Sequence, residues 1–180
     1  MLKIAKTKPN FFDKLIRDKK SWQDIPDRKE LRENLFKEQN GMCAYCEIKL
    51  KSYHIDHFFK RDLFPNLTFD YNNLFLSCDC ENNCAKFKDK FGLTKEEFYN
   101  IFSPVDINLD EFEYSFTGDI IGKTDKAKRT IEVFNLNSKS LVEKRKTIAI
   151  NCQYCLEFDL FETFGEFKSF LEFLERNKDI

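Results

Sequence analysis

The chain predicts an α+β fold: a small zinc-stapled core of two strands and a helix, surrounded by further helices and carrying one additional β-hairpin. Three observations carry this expectation. Two thiol clusters, Cys43-x2-Cys46 and Cys78 with Cys80 and Cys84, bracket a short extended segment, His54-Ile55-Asp56-His57-Phe58. Capping pairs of the Asp/Thr-x-x-Glu type precede apolar stripes elsewhere. Phe112, Tyr114 and Phe116 alternate with polar residues ahead of Thr117-Gly118-Asp119, which is a hairpin signal.

Taken in chain order, Asp27-x2-Glu30 caps a helix over roughly 28–40, with Leu31 and Leu35 inward and Gly41 stopping it. That helix delivers Cys43 and Cys46. Zn2+ prefers four soft ligands in a tetrahedron, and two such thiol turns close a structural site. Cys78 ends the apolar run Leu74-Phe75-Leu76, and its partner is either Cys80 or Cys84; Cys84 is favoured because it opens a segment with lysines at 86, 88 and 90. Free cysteines also pack as small apolar residues, but burial alone does not produce ligand spacing. Met1-Leu2-Lys3-Ile4 does not read as a secretory signal, so a disulfide framework is disfavoured.

Between the thiol turns, neighbouring side chains of an extended 54–58 point to opposite sides. Asp56 can then hold a hard divalent cation against a phosphate while His57 reaches the attacking water from the other side. An imidazole is a suitable general base near neutral pH if a partner fixes its ring. Asn73, at the end of the long loop 58–72, can pin that loop by hydrogen bonds and hold its carbonyl toward His57. His54 shares a face with Asp56 and is a second candidate metal ligand or phosphate contact. These are the chain's two histidines.

Further along, Thr94-x2-Glu97 caps a short helix to about Phe102, stopped by Ser103-Pro104. A long helix follows Asn137-Ser138. Leu141, Ile148, Cys152, Cys155 and Leu156 form one helical stripe, so Cys152-x2-Cys155 reads as core packing rather than a third half-site. Thr163-x2-Glu166 caps a last helix whose Phe167, Phe170, Leu171 and Leu174 make one apolar stripe. The 180 residues form one domain, 1–180, with the core at about 41–90, and 21 phenylalanines suffice to fill it. No stretch approaches the twenty apolar residues of a membrane span, so a soluble, cytoplasmic protein is expected. The net charge of −1 is weak for a free-standing DNA binder, yet residues 1–30 carry nine basic against five acidic groups, and residues 156–180 three against seven. DNA would then meet the front half; a solvated surface without such meaning is the alternative.

Cys43-Ala-Tyr-Cys46-Glu47, His54-Ile-Asp56-His57-Phe58, Phe69-Asp70-Tyr71-Asn72-Asn73-Leu74, Ser77-Cys78 and Cys84 with Lys88 resemble the HNH, or ββα-metal, endonucleases. More narrowly, the chain resembles the HNH subunits of Septu-type anti-phage defence systems, the PtuB family. Leu31-Arg32, Gln39-Asn-Gly41-Met-Cys43, Thr130-Ile131, Leu136-Asn137, Leu141 and Arg145 extend the likeness over about residues 1–150. The resemblance implies a DNA endonuclease using Mg2+ or Mn2+, with Asp56 as catalytic-metal ligand, His57 as general base, Asn73 as the loop-holding residue and a structural Zn2+ on Cys43, Cys46, Cys78 and Cys84. It also implies an SMC-like or ABC-type ATPase partner (PtuA-like) that gates the nuclease. Lys86 and Lys88 are candidate substrate contacts. Many HNH proteins carry His or Asn after the last thiol, where this chain has Ala85; Asn82, Asn83 or a water would substitute, or Asp56 and His54 alone would hold the ion. The alternative function is a noncatalytic zinc-binding module that grips nucleic acid or the ATPase.

Overall fold

The computed structural model describes residue 1, residues 3–152 and residues 159–177. Cys155 and Leu156, the far end of the expected stripe, lie outside the described residues. In chain order the helices and strands are α1 (Asn10–Ile16), α2 (Lys29–Glu38), β1 (Tyr53–His57), β2 (Leu74–Cys78), α3 (Cys84–Lys90), β3 (Phe112–Tyr114), β4 (Ile120–Gly122), α4 (Asp125–Val133), α5 (Lys139–Cys152), α6 (Leu160–Phe164) and α7 (Lys168–Arg176). This is a mixed α+β chain with two small antiparallel sheets.

β1 pairs antiparallel with β2 in the register His54 to Ser77, Asp56 to Phe75 and His57 to Leu74. Every residue of β2 is buried, which explains its unbroken Leu-Phe-Leu run, whereas β1 is only partly covered. Helix α2 presents Leu31 and Leu35 to the core, and Asp27 accepts from the Lys29 amide (2.8 Å) to start it. Gly41, at φ +68, turns the chain from α2 into the first thiol turn, a conformation glycine adopts without a Cβ clash. Gln39 bridges the two pieces: its side chain donates to the Met42 and Leu76 carbonyls and accepts from the Leu76 amide.

The second hairpin, β3 and β4, forms around Gly118, which has φ +92. Arg145 of α5, fully buried, donates to the Gly118 and Leu136 carbonyls and so ties hairpin to helix. Three expected helix starts differ, the first being α2, whose N-cap is Arg28 rather than Asp27. Thr94 and Glu97 do cap each other reciprocally, but only a short 3-10 turn, Glu97–Asn100, follows, because Ile101 returns to extended backbone. Thr163 lies inside α6 rather than capping α7; Gly165 in the left-handed region ends α6, and Glu166 instead accepts from the Lys49 amide. The stripe Phe167, Phe170, Leu171 and Leu174 is core, as its spacing predicts. Helices α1, α4 and α6 have no counterpart among the expected elements, although Thr124 caps α4 through the Ala127 amide. Among the described residues no helix is long and apolar enough to cross a membrane.

Candidate functional site

The thiols of Cys43, Cys46, Cys78 and Cys84 converge in the core, all buried and with sulfurs within 4.8 Å of one another. Cys43 and Cys84 sulfurs are 3.7 Å apart, and those of Cys46 and Cys78 3.9 Å. A tetrahedral Zn2+ with bonds of about 2.3 Å requires sulfur separations of about 3.8 Å. A disulfide requires about 2.05 Å. The group therefore can hold a metal ion such as zinc. Cys84, not Cys80, is the fourth member: it sits at the start of α3 with φ +61, its amide bonded to the Phe134 carbonyl, while Cys80 stays partly exposed. Burial raises the Cys46 and Cys84 thiols, whereas on Cys43 burial is outweighed by hydrogen bonds from Cys46, Cys78 and Cys84 that favour its thiolate. A shared negative charge in a dry pocket suits a bound cation.

A cavity of about 500 Å3 runs along β1, lined by His54, Ile55, Asp56, His57, Lys60, Arg61, Asp62 and Asp89. His57 is 8% exposed. Its Nε2 lies 3.0 Å from the Thr68 carbonyl, which can only accept, so Nε2 carries the proton and Nδ1 the lone pair. The loop bearing that carbonyl is fastened by Asn73, whose Nδ2 donates to the Phe59 (3.0 Å) and Leu67 (3.1 Å) carbonyls and whose Oδ1 accepts from the Phe59 amide (2.7 Å). Burial, more than any nearby charge, pushes the His57 pKa down to about 4, so the ring is neutral at pH 7.

Asp56 also lines the cavity wall, but its carboxylate is held in a buried cluster. Lys88 of α3 meets its two oxygens at 3.0 and 2.8 Å and also donates to the His57 (2.9 Å) and Phe58 (3.2 Å) carbonyls, while the Tyr45 hydroxyl donates to Oδ2. Lys88 is 0% exposed. The expected substrate contact at Lys88 is therefore corrected: its ammonium is saturated by protein acceptors and out of reach of a ligand. Lys86 is partly committed as well, pairing with Glu81 at 2.9 Å. His54 lines the cavity with its Nδ1 at 2.9 Å from Asp79, which also accepts from Ser52.

These contacts leave a divalent ion few donor atoms on Asp56 and His54. Both Asp56 oxygens and one His54 nitrogen are engaged, and Ala85 offers no donor. Asn83 carries a buried, unpartnered Oδ1 but does not line the cavity. Among the described residues only the four cysteines bring three or more ligand atoms close enough to share an ion.

Three side chains of the site escape sequence reasoning. Arg61 lines the cavity without a hydrogen-bond or ion-pair partner among the described residues. Tyr45, between the two thiols of the first turn, reaches Asp56 only through the fold. Trp22 stands with its ring centroid 4.5 Å from that of His57, at 86°; the sequence offers no signal for that contact beyond its being the chain's one tryptophan.

No family model matches the chain. Over 109 residues it is 32% identical to a Septu protein PtuB of Bacillus thuringiensis, an alignment covering 57% of this chain and 39% of that protein. The chain thus spans about two fifths of the curated relative it matches.

Proposed function

We propose that this chain is the nuclease component of a Septu-type anti-phage defence system, hydrolysing DNA phosphodiester bonds under the control of an ATPase partner. The observation that carries the reading is the His57 ring: neutral, protonated on the nitrogen facing the Thr68 carbonyl, and held against a loop that Asn73 fastens. The likeness to PtuB supplies the biological setting. In this reading His57 Nδ1 accepts the proton of the attacking water, and Nε2 keeps its own on the carbonyl. An anionic phosphodiester entering beside the ring raises its proton affinity at the moment a base is needed. Arg61 orients a phosphate oxygen, and Asn73 acts by positioning. The cysteine site, with Zn2+ bound, holds the first thiol turn, the end of β2 and the start of α3 together. Mg2+ or Mn2+ is expected of such a nuclease by resemblance, but Asp56 as built is a buried counter-ion, so no step here is routed through it.

A second reading, a noncatalytic zinc-binding module that grips nucleic acid or the ATPase, is favoured by that same Asp56, Lys88 and Tyr45 cluster, which is structural work. His57→Ala separates the two. On the nuclease reading the variant retains its zinc and its fold and loses plasmid nicking; a parent protein with no nicking activity, alone or with its co-purifying ATPase, would establish the module instead.

A further inference from the structure

One hydrogen bond from Nε2 to Thr68 fixes one end of the His57 imidazole but leaves the ring free to swing about that direction. The remaining restraint comes from outside the 41–90 core. Trp22, 7% exposed, lies in a short 3-10 turn (Trp22–Asp24) and meets the imidazole perpendicularly, with Phe69 tilted against the indole at 6.5 Å. The indole is itself clamped: the Arg28 guanidinium lies over it at 5.0 Å and donates to the Trp22 carbonyl at 2.7 Å, and Asp24 accepts from the Lys20 and Ser21 amides to close the turn. We propose that Trp22 is the positioning residue for His57, its perpendicular ring setting the imidazole plane at the cavity wall and keeping water off that side of the ring. This rests on the reading of His57 as the base. A perpendicular aromatic contact has a preferred geometry that an aliphatic side chain of similar bulk does not reproduce.

The test uses the full, zinc-loaded chain with Trp22→Leu, Trp22→Phe and His57→Ala, read by plasmid nicking, DNA affinity and nitrogen NMR of the two histidines. Trp22→Leu is expected to slow nicking on the order of 10- to 100-fold with DNA affinity unchanged, because a base displaced by a fraction of an ångström loses its approach. Its His57 nitrogens should lose the sharp, separated signals of a held ring as the imidazole swings about its Thr68 bond, and Trp22→Phe should restore both rate and signals. A folded Trp22→Leu that nicks at the parental rate and keeps the separated signals, beside an inactive His57→Ala, overturns the positioning role alone. Weaker DNA binding with an unchanged rate also overturns it. Nicking by His57→Ala at the parental rate removes the base assignment and this proposal together. Should Trp22→Leu fail to fold, Arg28→Met, which releases the indole from its outer side, is expected to move the same two readouts in the same direction, and no change in either refutes the role.

Discussion

Replacing Lys88 by methionine keeps much of the side-chain volume but removes the charge that Asp56 faces. Asp56 is 6% exposed and Lys88 not at all, so solvent cannot take over the carboxylate. Removing one partner of a buried pair costs about 3–5 kcal/mol, because the survivor is left charged in a low-dielectric site. Two carbonyls, of His57 and Phe58, also lose their donor, while the Tyr45 hydroxyl remains to soften the loss. Taking about 4 kcal/mol against a domain stability of about 5–15 kcal/mol, the variant loses between about a quarter and four fifths of its stability. At a urea dependence of about 2 kcal/mol per molar, its unfolding midpoint falls by about 2 M. The assay is urea unfolding of zinc-loaded protein followed by tryptophan fluorescence, which reports directly on Trp22 beside His57. The double variant Asp56→Asn/Lys88→Met removes both charges and should recover most of the loss. A single variant within about 1 kcal/mol of the parent, or a double variant no better than the single, would refute the view that this pair is buried and mutually dependent.

The remaining expectations concern the thiols, the imidazole and one turn. Purified protein should carry one zinc per chain by elemental analysis; Cys46→Ser should lose it and unfold the core, whereas Cys80→Ser should keep it, and equal losses from both would reassign the fourth ligand. His57 has a folded pKa of about 4 against about 6.5 unfolded, so its contribution is present above pH 6.5 and is lost as pH falls toward 4, up to about 3 kcal/mol. Chemical unfolding at pH 7.5 and 4.5 should show that loss, and His57→Gln should abolish it. Gly118→Ala forces a Cβ to within 2.5 Å of the Val142 carbonyl at φ +92 and should cost at least about 1–3 kcal/mol, read as a lower melting temperature. Asn73→Ala, by freeing the Phe59 and Leu67 carbonyls, should quicken amide exchange across 59–70; unchanged protection there would show that the loop is held by other means.

Much of the site's framework was legible in the sequence because its logic is local. Ligand spacing announced the four thiols, although choosing Cys84 over Cys80 depended on reading Cys78 as a strand end, and the positive φ that lets Cys84 turn inward is invisible in the string. Alternation along β1 separated Asp56 from His57, and the place of Asn73 at the end of its loop suggested that it pins that loop. What failed was tertiary. Nothing in Lys86-Phe87-Lys88 says that Lys88 points into the core while Lys86 stays partly exposed; only the phase of α3 against β1 decides it. The same holds for Trp22 and Tyr45, whose contacts cross long stretches of chain. Capping pairs misled at Thr163, where a glycine two residues on breaks the helix before the pair can act.

Glu47 follows the first thiol turn directly, and its backbone carbonyl and buried carboxylate receive the Phe167 amide, the Ser169 amide and the Ser169 hydroxyl at the head of α7. Cys46 and the last helix are therefore clasped through one residue. A chelator that empties the thiols would loosen more than a finger of chain: the far end, 122 positions away in sequence, should come adrift early, offering proteases a cut at the C-terminal helix before the hairpin of β3 and β4 gives way.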